Sequence, residues 1–377
     1  MPRSLIPLVL ASLALASLLL IGCGSSGGGT TTVFVEGSSK ADLFTGSYAM
    51  AAVLGSEDSG SETFRAFWSM INANGVNEVF GVLRSNYQGV ISTSSYSTFG
   101  TYAVEEDLRF SMESEFAGLD HELGGLTEAG DLGVLSMVTS TAYPLVRVFG
   151  RREPGSYNLA SLSGAYHMVG YGSTVAGDNT FAEWGSVSFD GIGGGTSETS
   201  VNQEGATFGP VNIPITYTVA GDGQMTLAFA GGLELEGAIA VGGDVLILGG
   251  ATVAGDHPRM MVLVRAGAGL GNADMDGLYT WAGMRQEIGS NFYRSYAGHM
   301  AADGMGSATR TGLVKHEDHT TWFTPDAVTT TVQPDGSLTL LAGITEYVGG
   351  ISPDGRFAIL AGPTNAGLDP TIWFLLR

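Results

Sequence analysis

The segment TYTVAGDGQMTL, residues 216–227, occurs three times in this chain with the same length and the same pattern. The other two copies are TYAVEEDLRFSM at 101–112 and TTTVQPDGSLTL at 329–340. In each copy, two short runs of alternating apolar and polar residues flank a central turn, which is typical of a β-hairpin. The chain therefore contains three copies of one β-rich unit.

Two further motifs mark the ends of the unit. Each copy opens with Gly-x-Tyr and closes on a proline that is followed seven residues later by an arginine. The opening motifs are Gly46-Ser47-Tyr48, Gly164-Ala165-Tyr166 and Gly277-Leu278-Tyr279, and the closing pairs are Pro144/Arg151, Pro258/Arg265 and Pro370/Arg377. A unit of roughly 110 residues has the size of a small domain rather than of a solenoid repeat. We therefore expect three domains, at 42–152, 159–266 and 274–377.

The third copy divides into eight candidate strands. They are residues 277–288, 292–302, 307–316, 322–333, 337–345, 347–352, 356–361 and 371–377. Tight turns such as Asp303-Gly304 and Asp335-Gly336 join neighbouring strands, so consecutive strands should pair antiparallel. An eight-stranded meander removes its exposed edges by closing into a barrel. The predicted fold class is all-β, with three tandem eight-stranded antiparallel up-and-down β-barrels. The alternative is a six-bladed β-propeller with two four-stranded blades per copy.

One stretch of the first copy conflicts with this interpretation. Residues 61–75, SETFRAFWSMINANG, would be predicted as a helix in isolation, with Ser61 as N-cap and Asn74-Gly75 as the stop signal. The matching stretches at 180–193 and 291–306 alternate like strands and meet an Asp-Gly turn. The repeat therefore predicts a strand followed by a hairpin turn in all three copies.

Aromatic residues recur at matching places in these stretches. They are Phe64, Phe67, Trp68, Phe181, Trp184, Phe292 and Tyr296. A barrel core requires large side chains of this kind. We expect them to form the barrel cores, or to line cavities if the barrels are hollow.

Barrel closure would bring each closing arginine next to the tyrosine of its own copy. Strand eight would pair antiparallel with strand one, and the predicted pairs are Arg151 with Tyr48, Arg265 with Tyr166, and Arg377 with Tyr279. A guanidinium over an aromatic face contributes about 0.5 to 2 kcal/mol. This arrangement resembles the lipocalin-like, or calycin, barrels, whose first strand carries Gly-x-Trp and whose last strand brings an arginine across that ring. The resemblance implies a barrel that could hold a small hydrophobic ligand.

The N-terminus has the pattern of a targeting signal. Arg3 precedes an apolar run at 5–20, which is followed by Leu20-Ile21-Gly22-Cys23. This sequence resembles the lipobox of bacterial lipoproteins. The resemblance implies a signal peptide at 1–22 and a lipid anchor on Cys23, and Gly24 in place of aspartate favours the outer membrane. A transmembrane helix is the alternative, but the run is short for a span.

The residues that follow the lipobox have the composition of a linker. Residues 23–41 are rich in Gly, Ser and Thr, and a flexible coil of this length spans on the order of 20 Å. We expect a tether that holds the folded part in the cell envelope, on the periplasmic or the external side. The anchor would make the membrane a partner of the chain.

Charge and cysteine content exclude several classes of protein. The formal net charge is −21, with lysine only at Lys40 and Lys315, which argues against binding a nucleic acid or an anionic membrane surface. Cys23 is the only cysteine, so disulfides are excluded.

Two clusters of polar residues resemble metal sites. The run Asn272-Ala273-Asp274-Met275-Asp276-Gly277 resembles the start of a calcium loop, but its twelfth position is Gly283 instead of glutamate. His316 and His319 bracket Glu317-Asp318, but no third zinc ligand follows at a suitable spacing, and strand residues three apart would face opposite sides. We therefore predict a turn and a solvated loop, without metal or cofactor.

The sequence contains no catalytic signature. A Gly-x-Ser-x-Gly elbow, a His-Glu-x-x-His motif and a cysteine nucleophile are all missing. We predict a non-enzymatic, lipid-anchored envelope protein with a binding or scaffold role toward a protein or glycan partner. One alternative is a carrier of small hydrophobic ligands inside the barrels. The other is an enzyme with a site between repeats, for instance around His316 and His319.

Overall fold

The computed structural model describes residues 40–58, 61–114, 120–137, 143–174, 179–251, 257–288, 292–316 and 319–377. The predicted signal peptide, Cys23 and nearly all of the predicted tether lie outside these residues. Within the described ranges, no helix is long and apolar enough to cross a membrane.

Twenty-four strands, eight to each repeat, make up most of the described chain. The first barrel contains β1 Thr45–Asp58, β2 Ser61–Asn74, β3 Glu78–Tyr87, β4 Val90–Val104, β5 Arg109–Ser114, β6 Asp120–Leu126, β7 Leu132–Met137 and β8 Leu145–Arg151. The second contains β9 Ser163–Ser173, β10 Thr180–Asp190, β11 Gly194–Gln203, β12 Ala206–Val219, β13 Gln224–Phe229, β14 Glu234–Ala240, β15 Val245–Ala251 and β16 Arg259–Arg265. The third contains β17 Asp276–Gln286, β18 Tyr293–Asp303, β19 Ser307–Lys315, β20 Thr320–Val332, β21 Ser337–Ala342, β22 Thr345–Ile351, β23 Phe357–Gly362 and β24 Thr371–Leu376.

Short 3-10 helices accompany the strands. Ala41–Leu43, Leu159–Ser161 and Asn272–Asp274 precede the first strand of each barrel, and Val241–Gly243 lies between β14 and β15. The residue that follows each of the first three helices, Phe44, Leu162 or Met275, is buried in the core of its barrel.

Each set of eight strands closes on itself. Neighbouring strands pair antiparallel in chain order, and β8, β16 and β24 pair with β1, β9 and β17. The predicted fold class of three tandem eight-stranded barrels is therefore confirmed. The propeller alternative is wrong, because the last strand of each repeat completes the sheet of its own first strand instead of a separate blade.

The ambiguous stretch of the first repeat is a strand. β2 pairs with β1 along its full length and with β3 on its other side. Phe67 and Ile71 are buried inside the first barrel. Two flanking strands satisfy the backbone of this segment, so its helical propensity is overridden by tertiary pairing.

Every barrel has two distinct ends. We call the end that carries the 3-10 helix before the first strand the near end. The turns after the second, fourth and sixth strands lie at the same end, because each strand reverses the direction of the chain. We call the opposite end the far end.

The three barrels pack side by side in a closed ring. The first two strands of each barrel contact the sixth to eighth strands of another: β1 and β2 meet β14–β16, β9 and β10 meet β22–β24, and β17 and β18 meet β6–β8. The third barrel thus returns to the first. This is the head-to-tail closure of a cyclic trimer, built here within one chain.

A shared apolar core, which we call the hub, fills the centre of this ring. Strands seven and eight of each barrel contribute equivalent outward-facing residues, namely Val134 and Val148, Ile247 and Val262, and Ile359 and Phe374. At the far end of the hub the ring of Phe64 lies 5.9 Å from that of Tyr171 and 6.1 Å from that of Tyr293, so each barrel supplies one ring. Every residue of β7, β23 and β24 is buried, because one face of these strands meets a barrel interior and the other meets the hub.

One glycine position is required by this geometry in all three barrels. A Cβ atom at Gly124, Gly237 or Gly349 would overlap a backbone carbonyl oxygen of the adjacent seventh strand. Only glycine therefore allows the sixth strand to approach the seventh so closely.

Candidate functional site

The tyrosine of each Gly-x-Tyr motif closes the near end of its barrel. Its hydroxyl donates a hydrogen bond to a carbonyl oxygen in the turn after the sixth strand: Tyr48 to Gly130 at 2.7 Å, Tyr166 to Gly243 at 2.8 Å and Tyr279 to Gly355 at 2.9 Å. Burial raises the pKa of all three phenols, that of Tyr279 to about 12. These hydroxyls therefore stay protonated and serve as structural donors.

The closing arginines lie beside these tyrosines. The guanidinium of Arg265 is 4.8 Å from the ring centre of Tyr166, and that of Arg377 is 5.8 Å from the ring centre of Tyr279. Arg151 is the ladder partner of Tyr48, and its guanidinium donates to the carbonyl of Ala129. The near ends are thus closed by contacts within the chain.

The interior of the first barrel contains a buried ion pair. The Arg147 guanidinium lies 2.9 Å from the Glu122 carboxylate, and both side chains are essentially inaccessible to solvent. Burial lowers the pKa of Arg147, and the adjacent carboxylate opposes this effect. The guanidinium stays charged because its ordinary pKa is so far above neutrality.

The same two positions carry different chemistry in the other barrels. Arg147 is the third residue of β8, and the third residues of β16 and β24 are Met261 and Trp373. Glu122 stands two residues before the close-approach glycine of β6, and Leu235 and Tyr347 stand there in β14 and β22. The second barrel thus has an aliphatic pair, whereas the rings of Tyr347 and Trp373 in the third lie 5.9 Å apart.

The second and third barrels have interior ion pairs elsewhere. Arg259 contacts Glu183 at 3.3 Å and lies 4.7 Å from the ring centre of Phe181. In the third barrel both carboxylate oxygens of Asp326 accept hydrogen bonds from Arg310, at 3.2 and 2.7 Å. The Arg310 guanidinium also lies within 6 Å of three aromatic ring centres, those of Trp281, Phe323 and Trp373.

None of these three ion pairs is predicted by the sequence. One signal was present in β8, where Arg147 interrupts an otherwise apolar run at an inward-facing position. The acidic partners are remote in sequence, so only the closed barrel brings them into contact. A charged pair is also a poor lining for a hydrophobic ligand, because any such ligand would have to desolvate it further.

The predicted aromatic core divides between two environments. Phe67 and Tyr296 are buried within their barrels, whereas Phe64 and Trp184 pack at the hub. Phe292 is 45% exposed and belongs to neither. The expectation of a single set of interior aromatics is wrong for Phe64 and Trp184, because the outer faces of β2 and β10 pack against the hub. It is also wrong for Phe292, which precedes β18 and is exposed.

The acidic run of the third repeat caps the near end. The Asn272 side-chain oxygen accepts the Val332 N–H at 2.8 Å, and the Asp274 carboxylate accepts the Gly271 N–H at 2.8 Å. Both oxygens thus stabilise the 3-10 helix and the strand beside it. This use agrees with a turn, and absence of calcium stays a prediction.

The two histidines of the third repeat face each other at the far end. His316 donates its backbone N–H to the carbonyl of His319 at 2.8 Å, and the imidazole rings are stacked with centres 4.6 Å apart. The two residues are opposed across a hairpin rather than consecutive on one strand, so the geometry of strand residues three apart does not apply to them. The absence of zinc stays a prediction. Glu317 and Asp318 lie outside the described residues. In the part of the chain that the structure describes, no group of three or more metal-ligating side chains is assembled.

The most exposed part of each barrel is the hairpin of its third and fourth strands. We call residues 81–96, 197–213 and 310–326 ribbons 1, 2 and 3. Ribbons 1 and 3 begin at an irregularity in the strand pairing, ribbon 2 contains one between Thr199 and Val201, and all three run to the far end. The fourth strand pairs with the fifth only beyond the ribbon, over Gly100–Val104, Ile215–Val219 and Thr329–Val332. Among the described residues, the ribbons therefore extend past the neighbouring strand.

The fourth strand of each ribbon is exposed on both faces, whereas the third strand keeps one face buried, as at Leu83, Ser197 and Arg310. Seven consecutive residues of β12, from Ala206 onward, are exposed, and Ser92 to Ser95 of β4 are exposed as well. Large apolar side chains lie among these hydroxyl-bearing residues, including Trp322 at 73% exposure, Val90 at 65% and Phe208 at 58%. Tryptophan is enriched among the side chains that dominate binding energy at protein interfaces, so Trp322 makes ribbon 3 a candidate contact surface.

Hydrogen bonds fix the tips of ribbons 1 and 2. The buried side chains of Asn86 and Asn202 accept the N–H groups of Gly89 and Gly205 at 3.0 and 2.9 Å. The Asn202 amide also donates to the Pro363 carbonyl of the third barrel at 2.8 Å. Ribbon 2 is therefore held in place by the next barrel, which lowers the entropy that a partner must remove on binding.

Prolines distinguish ribbon 1 from the other two. β12 contains Pro210 and Pro214, and β20 contains Pro325, whereas 81–96 contains no proline. A proline removes a backbone donor and prevents strand addition at that position. Ribbons 2 and 3 are thus suited to recognition through side chains rather than through an added strand.

No family model and no curated protein matches the chain. Among solved structures, it is similar to the isotype 1 transferrin binding protein B from serogroup B Neisseria meningitidis, with a TM-score of 0.27 and 10% identity, over 88% of this chain and 76% of that one. It is also similar to a putative AttH from Nitrosomonas europaea, with a TM-score of 0.20 and 9% identity, over 88% of this chain and 92% of the other. Scores this low identify neither a family nor an activity.

Proposed function

We propose that this chain is a lipid-anchored, non-catalytic binding protein of the bacterial cell envelope that presents its ribbons to a protein partner. The observation that carries the proposal is the exposure of Trp322, Phe208 and Val90 on strands that extend from the ring. The barrel interiors, by contrast, are occupied by the chain's own aromatic, aliphatic and charged side chains. Recognition at the outer surface fits this distribution better than ligand transport does.

The anchor rests on the N-terminal motif. In this proposal residues 1–22 are removed, Cys23 is acylated and 23–41 tether the repeats at 42–152, 159–266 and 274–377. Two or more acyl chains anchor a protein stably, whereas one chain does not. The outer membrane is the proposed location, because Gly24 follows the cysteine.

The partner side of the proposal rests on the energetics of protein interfaces. Tryptophan is the residue type most enriched among side chains that dominate binding energy, and such residues act best on a rigid support. The ring supplies that support, because the hub buries both faces of the strands opposite the ribbons.

Site-specific photocrosslinking in the native host tests the partner. A photoreactive residue replaces Trp322 of the full chain, and the matched control replaces Thr309, which is exposed on the neighbouring strand nearer the other end. We expect one discrete adduct with an envelope protein from position 322 and none from position 309. Absence of an adduct at positions 322, 208 and 90 alike would contradict a ribbon-binding partner.

Mass spectrometry of the N-terminal peptide tests the anchor separately. We expect a peptide that begins at Cys23 and carries the added mass of a diacylglyceryl group and an acyl chain. An intact N-terminus at Met1, or an unmodified thiol, would contradict lipid anchoring without affecting the crosslinking result.

A further inference from the structure

The turn between the second and third strands is built in the same way in all three barrels. A side-chain oxygen at its first position accepts backbone N–H groups from the turn. Asn74 accepts from Val76, Asn77 and Glu78 at 2.9, 2.9 and 3.0 Å, Asp190 accepts from Ile192 and Gly194 at 2.8 and 2.9 Å, and Asp303 accepts from Met305 and Ser307 at 2.8 and 2.9 Å. These bonds hold each turn in one conformation.

Each of these rigid turns carries one large apolar residue at its tip. Val76 is 65% exposed, Ile192 is 81% exposed and Met305 is 82% exposed. Turn residues are normally polar or glycine, and a glycine precedes each of these three residues. A scattered exposed apolar residue needs no explanation, but the same position is apolar in every repeat. We call Val76, Ile192 and Met305 the apolar tips.

The apolar tips lie on one side of the ring. All three turns belong to near ends, and the near ends of neighbouring barrels touch one another. Arg152 pairs with Asp222 at 3.0 Å, Arg356 pairs with Asp131 at 3.2 Å, and His167 is hydrogen-bonded to the Asp335 carbonyl at 2.9 Å. Each pair joins two different barrels at the near end. The ring therefore has a near face that carries three apolar tips.

The chain also enters the ring on the near face. Lys40 donates its N–H to the Val104 carbonyl at 3.4 Å, next to the near-end turn of the first barrel. Residues 24–39 separate Lys40 from Cys23, and a Gly/Ser-rich coil of this length spans on the order of 20 Å. An anchor on Cys23 would thus hold the near face, rather than the far end, beside the bilayer.

We propose that the near face docks on the lipid bilayer, with Val76, Ile192 and Met305 inserted into the headgroup region. This inference rests on the proposed lipid anchor, which supplies the high local concentration at which three small apolar contacts suffice. The occupant is a lipid surface because the tether already places this face against one. Docking leaves the far ends of the barrels, with the ribbon tips, directed away from the membrane.

The charges around the tips select the kind of lipid. Backbone N–H donors lower the pKa of Asp190 and Asp303, so both carboxylates are ionised beneath the tips. With a net charge of −21, the chain is repelled by anionic lipid. Zwitterionic headgroups are therefore the expected surface, with insertion limited to the tip side chains.

A single-label quenching experiment on the full, membrane-processed chain tests the docking. Because Cys23 is the only cysteine and its thiol is blocked if acylated, Ile192→Cys can be labelled selectively with an environment-sensitive dye. The matched control is Ile344→Cys, in the turn between β21 and β22 at the far end, with the same 81% exposure. Both are reconstituted in phosphatidylcholine and phosphatidylethanolamine vesicles that contain a lipid-borne quencher.

We expect quenching at position 192 to exceed that at position 344 at least threefold. Changing Val76 and Met305 to serine in the labelled Ile192→Cys chain should remove most of that difference, because the tips act together. Equal quenching at the two positions, or stronger quenching at position 344, overturns the docking proposal.

The same experiment separates failure of the anchor from failure of the docking. The wild-type chain is exposed to the dye in parallel, and labelling of Cys23 shows that the anchor proposal has failed. Quenching is then measured on a tip variant whose Cys23 is replaced by serine, at saturating vesicle concentration. Preferential quenching at position 192 still supports docking, and its absence overturns docking on its own account.

Discussion

Within each barrel, the side that faces the hub is buried and the side that carries the ribbon is exposed. This difference is larger than any difference between one barrel and another. On the hub side, six consecutive residues of β23 and six of β24 are buried. On the ribbon side, seven consecutive residues of β12 are exposed. Barrel closure satisfies the backbone on both sides, so the chemistry of the outward-facing side chains alone decides whether a strand assembles with another barrel or meets solvent. A barrel needs apolar side chains on the inner face of its sheet. The outer face is free to serve assembly with another barrel or recognition of a partner.

The largest expected effect concerns the ion pair that bridges β6 and β8, two hub-side strands. Arg147→Met leaves the Glu122 carboxylate buried without its guanidinium and should lower the free energy of unfolding by about 3 to 5 kcal/mol. Chemical denaturation measures the loss. The double variant Arg147→Met with Glu122→Leu copies the pair of the second barrel, Met261 and Leu235, and should recover most of the lost stability. A double variant as unstable as the single one would show that the ion pair has a role beyond charge compensation.

A substitution in the hub should cause the next largest loss of stability. Ile247 is fully buried between barrels, and Ile247→Ala should cost about 2 to 4 kcal/mol because the rigid surroundings leave a cavity. The control is Ile344→Ala at an exposed turn, which should change stability by less than about 0.5 kcal/mol. Thermal or denaturant unfolding compares the two. Equal effects would remove the distinction between hub side and outer surface.

Substitution of the arginines that close the near ends should lower the free energy of unfolding by a smaller amount, which differs between the barrels. Arg265 lies closer to its tyrosine ring than Arg377 does, and it donates to the carbonyls of Ser163 and Gly243 at 2.9 and 3.0 Å. Arg265→Ala should therefore cost about 1 to 2 kcal/mol, and Arg377→Ala about half as much. Denaturant titration of both variants gives the ratio. A larger loss from Arg377→Ala would show that ring distance does not control this contact.

A pH-dependent effect is expected where the third barrel meets the near-end turn of the first. Burial lowers the pKa of His299, the nearby Asp107 opposes this shift and Arg109 adds to it. Because the folded state favours the neutral imidazole, the stability from this site is fully present above the ordinary histidine pKa of about 6.5 and falls as the pH drops below it. His299→Gln should flatten the fall in unfolding midpoint as the pH drops below about 6.5. If the pH dependence of the unfolding midpoint is unchanged in this variant, a group other than His299 causes it.

The smallest stability effect should come from the ribbons. Trp322→Ser removes a side chain that is 73% exposed and should change the free energy of unfolding by less than about 0.5 kcal/mol. Capture of the partner by a photoreactive residue at the neighbouring exposed Thr324 should nevertheless be lost. If the partner still binds the Trp322→Ser variant, the recognition surface lies on another part of the ring. If the variant loses much stability, Trp322 has a role in packing.

Sequence by itself determined the strands and the closure of each barrel. Hairpin turns and two-residue alternation are local features, and three copies of one unit corrected the helical prediction for residues 61–75. The pairing of the last strand with the first follows from counting strands, so the positions of Tyr48 and Arg151 on neighbouring strands could be predicted without coordinates. The lipobox-like motif at 20–23 and the linker composition of 23–41 are linear patterns, and the lipid anchor and tether that they indicate stay predictions.

Only the tertiary structure decided what each face of a strand meets. Alternation shows that Phe64 and Phe67 lie on opposite faces of β2, but only the ring places the first in the hub and the second in a barrel core. The ion pair of Glu122 with Arg147 and the near face with its three apolar tips depend in the same way on distant segments. The physical reason is that sequence periodicity fixes the direction of a side chain relative to its own strand, whereas its neighbours are set by long-range packing.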